Sequence, residues 1–222
     1  MTENALLLAL WGVLVGIDLA SVAQTMISRP LVAGTVAGLI VGDPGVGVVV
    51  GTILELFALD VLPVGATRYP DYGLGAVAAV ATAAGVPGVL GTGIGVGVGL
   101  VVAYIGGAAV HVMRVLNAAD VDEHRGQLDS GNERAIFALH RRGLGRDIVR
   151  SAAVMAIGLL VAVSVRQAAP ITLEGAIYLR IAAIGAAIAA ATSGVVRLTG
   201  RKVALRWFVA GLAAGLAGLV LL

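Results

Sequence analysis

Residues 29–71 read RPLVAGTVAGLIVGDPGVGVVVGTILELFALDVLPVGATRYPD, and the reading of this stretch decides the fold. Its two apolar runs, 31–42 and 45–59, are each short of the roughly 20 residues an α-helix needs to cross hydrocarbon. Asp43-Pro44 separates them, a turn signal because proline disfavours helix in the residue before it. The runs read as a broken or re-entrant pair, or as two short tilted helices. The polar island at 62–73, LPVGATRYPDYG, then sets Arg68, Asp71 and two tyrosines between apolar neighbours. Pro63 and Pro70 with Gly65 and Gly73 break the helices there. Backbone freed at membrane depth is tolerated only where protein or water surrounds it.

Working outward, the chain of 222 residues is 59% hydrophobic and 13% charged, with a mean hydropathy of +1.01. Soluble domains average about 45–50% apolar and about 25% charged, so this excess exceeds what one soluble core can bury. The expected class is all-α: a polytopic membrane protein in a lipid bilayer, with discontinuous or re-entrant segments. Cysteine is absent, which excludes disulfides, thiolate metal sites and a cysteine nucleophile. No cofactor, metal site or catalytic residue is expected. The opening MTENALLLALWGVLVG lacks a basic start and a small-residue cleavage signal, so it reads as a retained helix. Net charge is +2, and the surplus is arginine concentrated in two loops. That pattern concerns membrane topology, not nucleic acid.

Apolar segments are expected at about 5–27, 31–42, 45–59, 74–84, 89–110, 149–165, 175–196 and 203–221. The run at 89–110 alternates glycine at 91, 93, 95, 97 and 99; in lipid such small residues permit close helix contact, so it reads as helix. Residues 111–148 form the long polar segment, expected as short amphipathic helices. Three parts follow: an N-terminal membrane half at 1–110, a cytoplasmic polar loop at 111–148 and a C-terminal membrane half at 149–222. Arginine counting places the loops at 111–150 and 197–206 in the cytoplasm and the C-terminus outside.

Ionisable groups inside apolar segments cost about 2.5–3.5 kcal/mol on insertion scales. Asp43 reads as a turn residue and Glu174 as a helix N-terminal acid. Glu55 lies mid-run, far from water. Asp18, Gln24, Glu55 and Asp71 are expected to converge with the backbone of Gly65, Ala66 and Thr67 around one polar cavity. Carboxylates and an amide suit the hydroxyls of a polar solute.

The ordered motifs Ser28–Gly34 (SRPLVAG), Val41–Asp43 (VGD), Gly51–Leu56 (GTILEL) and Pro63–Asp71 (PVGATRYPD) resemble the IIC subunit of the mannose/fructose/sorbose family of the bacterial sugar phosphotransferase system. The resemblance extends to Gly16-Ile17-Asp18 with Gln24, to Asn117–Asp120, Gly131-Asn132 and His140, and to Arg206-Trp207-Phe208. It implies a permease subunit of the bacterial inner membrane that binds and carries a sugar inward. It further implies a IID membrane partner, soluble IIA and IIB subunits that relay phosphate, an oligomer, and no phosphorylation of this chain. The sequence departs from the family pattern at Ile53, Asp60, Arg68 and Tyr69. Asp60 and Arg68 could pair with each other. Those altered charges keep open a second reading, a non-transporting scaffold or sensor derived from the family.

Overall fold

A computed structural model describes residues 2–61, 67–86, 88–168, 172–200, 202, 203, 205–207, 209 and 210. Among them the regular structure is helical: α1 Thr2–Ala20, α2 Pro30–Val41, α3 Pro44–Ala58, α4 Tyr72–Ala83, α5 Gly88–Glu123, α6 Arg125–Asp129, α7 Glu133–Ala168 and α8 Leu173–Thr199. The helix expected at 203–221 falls largely outside the described residues.

The break after Val41 forms as the local chemistry demands. Gly42 closes α2 in the left-handed region at φ 80°, where glycine carries no Cβ penalty. Asp43 caps α3 by accepting from Val46 N at 3.0 Å, with Pro44 next to it at the helix start. The two short helices then fold onto each other through small residues. A Cβ on Gly34 would sit 2.9 Å from Gly47 O, and one on Gly47 would sit 2.5 Å from Gly34 O. Such close backbone approach replaces the hydrophobic drive that lipid removes.

Helix α4 has 12 residues, all buried, about 18 Å of helix. It packs against α5, α2, α7, α3 and α1, so its ends meet protein rather than lipid, the condition for ending a helix at membrane depth. Asp71 caps its start by accepting from Leu74 N at 3.1 Å. Near its end, Arg166 of α7 donates to Ala81 O at 3.4 Å.

The glycine-rich run is helical, as read. Its alternation resolves into faces: Gly91, Gly95 and Gly99 abut α4 or the turn after it, Gly93 abuts Ala176 and Arg180 of α8, and Gly97 faces open space. Among the described residues three helices, Leu90–Glu123, Glu133–Gln167 and Leu173–Ser193, are long and apolar enough to cross a membrane.

Two expectations need correction. The first helix ends at Ala20, not near residue 27, because the chain turns at Ala23, Gln24 and Met26, all with positive φ. The polar segment is not a set of short helices. Helices α5 and α7, each 36 residues and about 54 Å long, exceed a hydrocarbon core of about 30 Å. They run unbroken past residues 110 and 149, leaving a helical hairpin with the five-residue α6 near its tip.

Candidate functional site

A cleft of about 430 Å³ opens where the α1–α2 connection meets the polar island and α5. Asp18, Gln24, Ser28, Arg29, Tyr69 and Arg114 supply its polar wall, with Pro70, Tyr72 and Gly73 beside them. Asp18 builds one side. Its carboxylate accepts from Thr25 N at 2.6 Å, Thr25 Oγ1 at 3.0 Å and Ser28 N at 3.0 Å. These bonds fold residues 25–28 back over the end of α1, and Gln24 stands exposed at the bend. Trp11 secures the adjoining helix by donating Nε1 to Ala33 O at 2.9 Å.

The island is pinned to α5. Asp71 N donates to Ala103 O at 2.8 Å, and a Cβ on Gly107 would fall 2.3 Å from Tyr69 O. Glycine is therefore required there for the island to lie flat on the helix. Arg114 donates Nη1 to Thr67 O at 3.2 Å and Nη2 to Tyr69 Oη at 2.6 Å, with its guanidinium carbon 5.0 Å from the Tyr69 ring centre.

The residues expected to converge do so in part. Asp18 and Gln24 line the cleft, and the Thr67 carbonyl is held at its margin by Arg114. Gly65 and Ala66 lie outside the described residues. Glu55 is not on the cleft wall; it pairs with Arg29, which is, and accepts from Leu31 N at 3.2 Å. Asp71 is fully buried behind the wall. Its carboxylate meets Arg150 Nη1 at 2.9 Å, while Arg150 Nε meets Asp147 Oδ1 at 2.7 Å. Arg150 Nη2 donates to Gly16 O at 2.8 Å and Ser151 Oγ at 3.1 Å, and Ser21 donates to Asp147. This network ties α1, α4 and α7 together. Asp60 and Arg68 find other partners: Ser193 donates to Asp60, and Arg68 Nη2 lies 2.8 Å from His111 Nε2.

Sequence reasoning missed Arg150, Asp147, Arg29 and Arg114 as site residues. Arg114 and Arg150 carried only topological weight there. One local signal existed: Asp147 and Arg150, three apart, open the apolar run of α7 on one helical face. Nothing local marked Asp71 as their partner.

Fold and site together define a class: a polytopic α-helical membrane protein whose polar cleft is built at helix breaks. A family model for the sorbose-specific IIC component of the PTS system matches residues 2–216. The chain belongs to that family. The sorbose-specific EIIC component of Lacticaseibacillus casei is 30% identical over 139 residues, 63% of this chain and 49% of that protein. The mannose-specific EIIC component of Escherichia coli K12 is 29% identical over 124 residues, 56% of this chain and 46% of that protein. The chain thus spans about half the length of the curated relatives it matches. Among solved structures, one described as "Structure of membrane protein" is 23% identical with a TM-score of 0.70, covering 100% of this chain and 94% of that one. A chain of the mannose transporter ManYZ in complex with microcin E492 is 22% identical with a TM-score of 0.62, covering 100% of this chain and 93% of that one. These likenesses establish the fold.

Proposed function

We propose that the chain is the membrane permease subunit, IIC, of a sugar phosphotransferase system, carrying a sugar inward for phosphorylation by a soluble IIB subunit charged through IIA. A IID subunit is its proposed partner within an oligomer in the bacterial inner membrane. Phosphoryl transfer belongs to the partners, not to this chain. The observation that carries the reading is the cleft itself, about 430 Å³ with a wall of mixed donors and acceptors at helix breaks. Small-molecule pockets run from about 300 to 1,000 Å³ and place a few polar groups with care.

In this reading Asp18 and Gln24 touch the sugar. Asp18 spends three acceptor positions on its own loop and keeps about one of four for a hydroxyl. Glu55 acts through Arg29 and Asp71 through the island, each one layer behind the wall, and Gly65 to Thr67 contribute backbone. The division at 1–110, 111–148 and 149–222 becomes functional: the middle part is the cytoplasmic hairpin on which soluble subunits dock.

The test is uptake of labelled sugars by cells with and without this gene. Glu55→Gln and Asp71→Asn should each abolish uptake while membrane insertion and copurification with the IID subunit persist. Normal uptake by both variants would remove the proposed site.

A further inference from the structure

We infer that the chain holds a second sugar site, a polar pocket of about 330 Å³ at the root of the helical hairpin, which receives the sugar as it leaves the cleft for the cytoplasm. The inference rests on the sugar-permease reading and adds the release side of the same route. Two observations put the pocket next to the cleft. Ala20, at the end of α1, lines both cavities, so they share a wall. On α5 the cleft takes Arg114, and the pocket takes Asn117 and Val121, at spacings that keep to one helical face. Asn117 lies about 4.5 Å farther along the helix axis, in the direction of α6 and the hairpin tip. In the topology read from the arginines, that direction is toward the cytoplasm.

The lining has the chemistry of hydroxyl recognition. Asn117 Oδ1 accepts from Arg146 Nη1 at 2.9 Å, while its Nδ2 donates to nothing among the described residues. Gly143 of α7 faces that amide: a Cβ there would stand 3.5 Å from Nδ2, so the missing side chain leaves the amide open to a ligand. His140, exposed at the pocket, has no side-chain partner among the described residues. Asp120 turns Oδ2 to Arg142 at 3.3 Å and to Arg146 at 2.8 Å, and keeps Oδ1 as an acceptor. An amide, an imidazole and a carboxylate oxygen supply donors and acceptors together. A sugar hydroxyl, donor and acceptor at once, can use both kinds. The volume also lies within the range of about 300–1,000 Å³ found for small-molecule sites.

The test counts sugar bound at equilibrium to the purified chain with its IID partner, without soluble subunits. Radiolabelled mannose, fructose and sorbose are the probes. The unaltered protein should show two classes of site, equal in number. Gly143→Leu, which fills the pocket with a good helix former, should remove one class, leave the other at its original affinity, and slow uptake by cells. Gly145→Leu, at a position where a Cβ meets nothing, should change neither binding nor uptake. His140→Ala should weaken the class that Gly143→Leu removes by about two- to ten-fold, the worth of one hydrogen bond. If Gly143→Leu fails to fold, the count on the unaltered protein and His140→Ala decide. A single class of site on the unaltered protein would overturn the inference and leave the permease reading standing. So would both classes surviving in a folded Gly143→Leu protein, even with uptake lost, because that result marks a docking surface for a soluble subunit. Binding of none of the probes, with no uptake by cells, would remove both readings.

Discussion

Replacing Arg150 with methionine tests whether the buried network holds the bundle together. Arg150 has 4% of its side chain exposed, and both Asp71 and Asp147 have 0%. Methionine fills much of the same space but withdraws four hydrogen bonds, to Asp71, Asp147, Gly16 O and Ser151. Two buried carboxylates are then left on α4 and α7 with no cation between them. Removing one partner of a buried ion pair costs about 3–5 kcal/mol, chiefly through the stranded charge. For a chain of this length each kcal/mol moves the melting midpoint by about 2–4 °C, so the expected fall is about 6–20 °C. The assay is thermal unfolding of the purified protein in detergent, followed by tryptophan fluorescence, since Trp11 donates across to α2. Arg150→Lys should recover little, because one ammonium cannot reproduce a fork spanning three helices. Arg150→Met combined with Asp71→Asn and Asp147→Asn should recover most of the loss, since no charge remains stranded. A midpoint for Arg150→Met within about 2 °C of wild type would refute the reasoning.

Two further expectations concern packing and topology. Gly47→Val should cost about 1–3 kcal/mol by overpacking, because its Cβ meets Gly34 O and Gly38 Cα. Gly97→Ala, which meets nothing, should stabilise by up to about 1 kcal/mol; equal melting midpoints for the two variants would contradict the α2–α3 contact. Ser130→Cys, exposed at the hairpin tip of a chain without native cysteine, should react in intact cells with a membrane-permeant maleimide alone. Labelling by an impermeant reagent would invert the topology.

The helix breaks were legible because they act through local backbone chemistry. Asp43 caps and Pro44 starts a helix whatever surrounds them, and Gly42 ends one. The end of α1 was not legible, since Asp18 stops it by reaching forward to residues 25 and 28. The long reach of α5 and α7 was hidden for a different reason. Once past the apolar stretch, their exposed charges look like a loop, although Asp120 receives Arg142 and Arg146 across two antiparallel helices. Asp18 and Gln24 were singled out because polar groups in apolar runs seek a cavity, and both line the cleft. Asp71 followed the same rule to another end, pairing with an arginine 79 residues away, a separation at which sequence pattern carries no pairing information.

That second end changes how the site is to be understood. The cleft wall at Pro70, Tyr72 and Gly73 is the start of α4, and α4 starts where Asp71 caps it. The residue that shapes this wall is thus also the residue that Arg150 holds. Because Arg150 also grips Gly16 O, two residues before Asp18, one guanidinium sets the spacing between the two sides of the cleft. The network carries two carboxylates against one guanidinium, so Asp71→Asn leaves a matched Asp147–Arg150 pair and keeps a capping side chain. Loss of transport in that variant would therefore register the position of the wall rather than collapse of the fold.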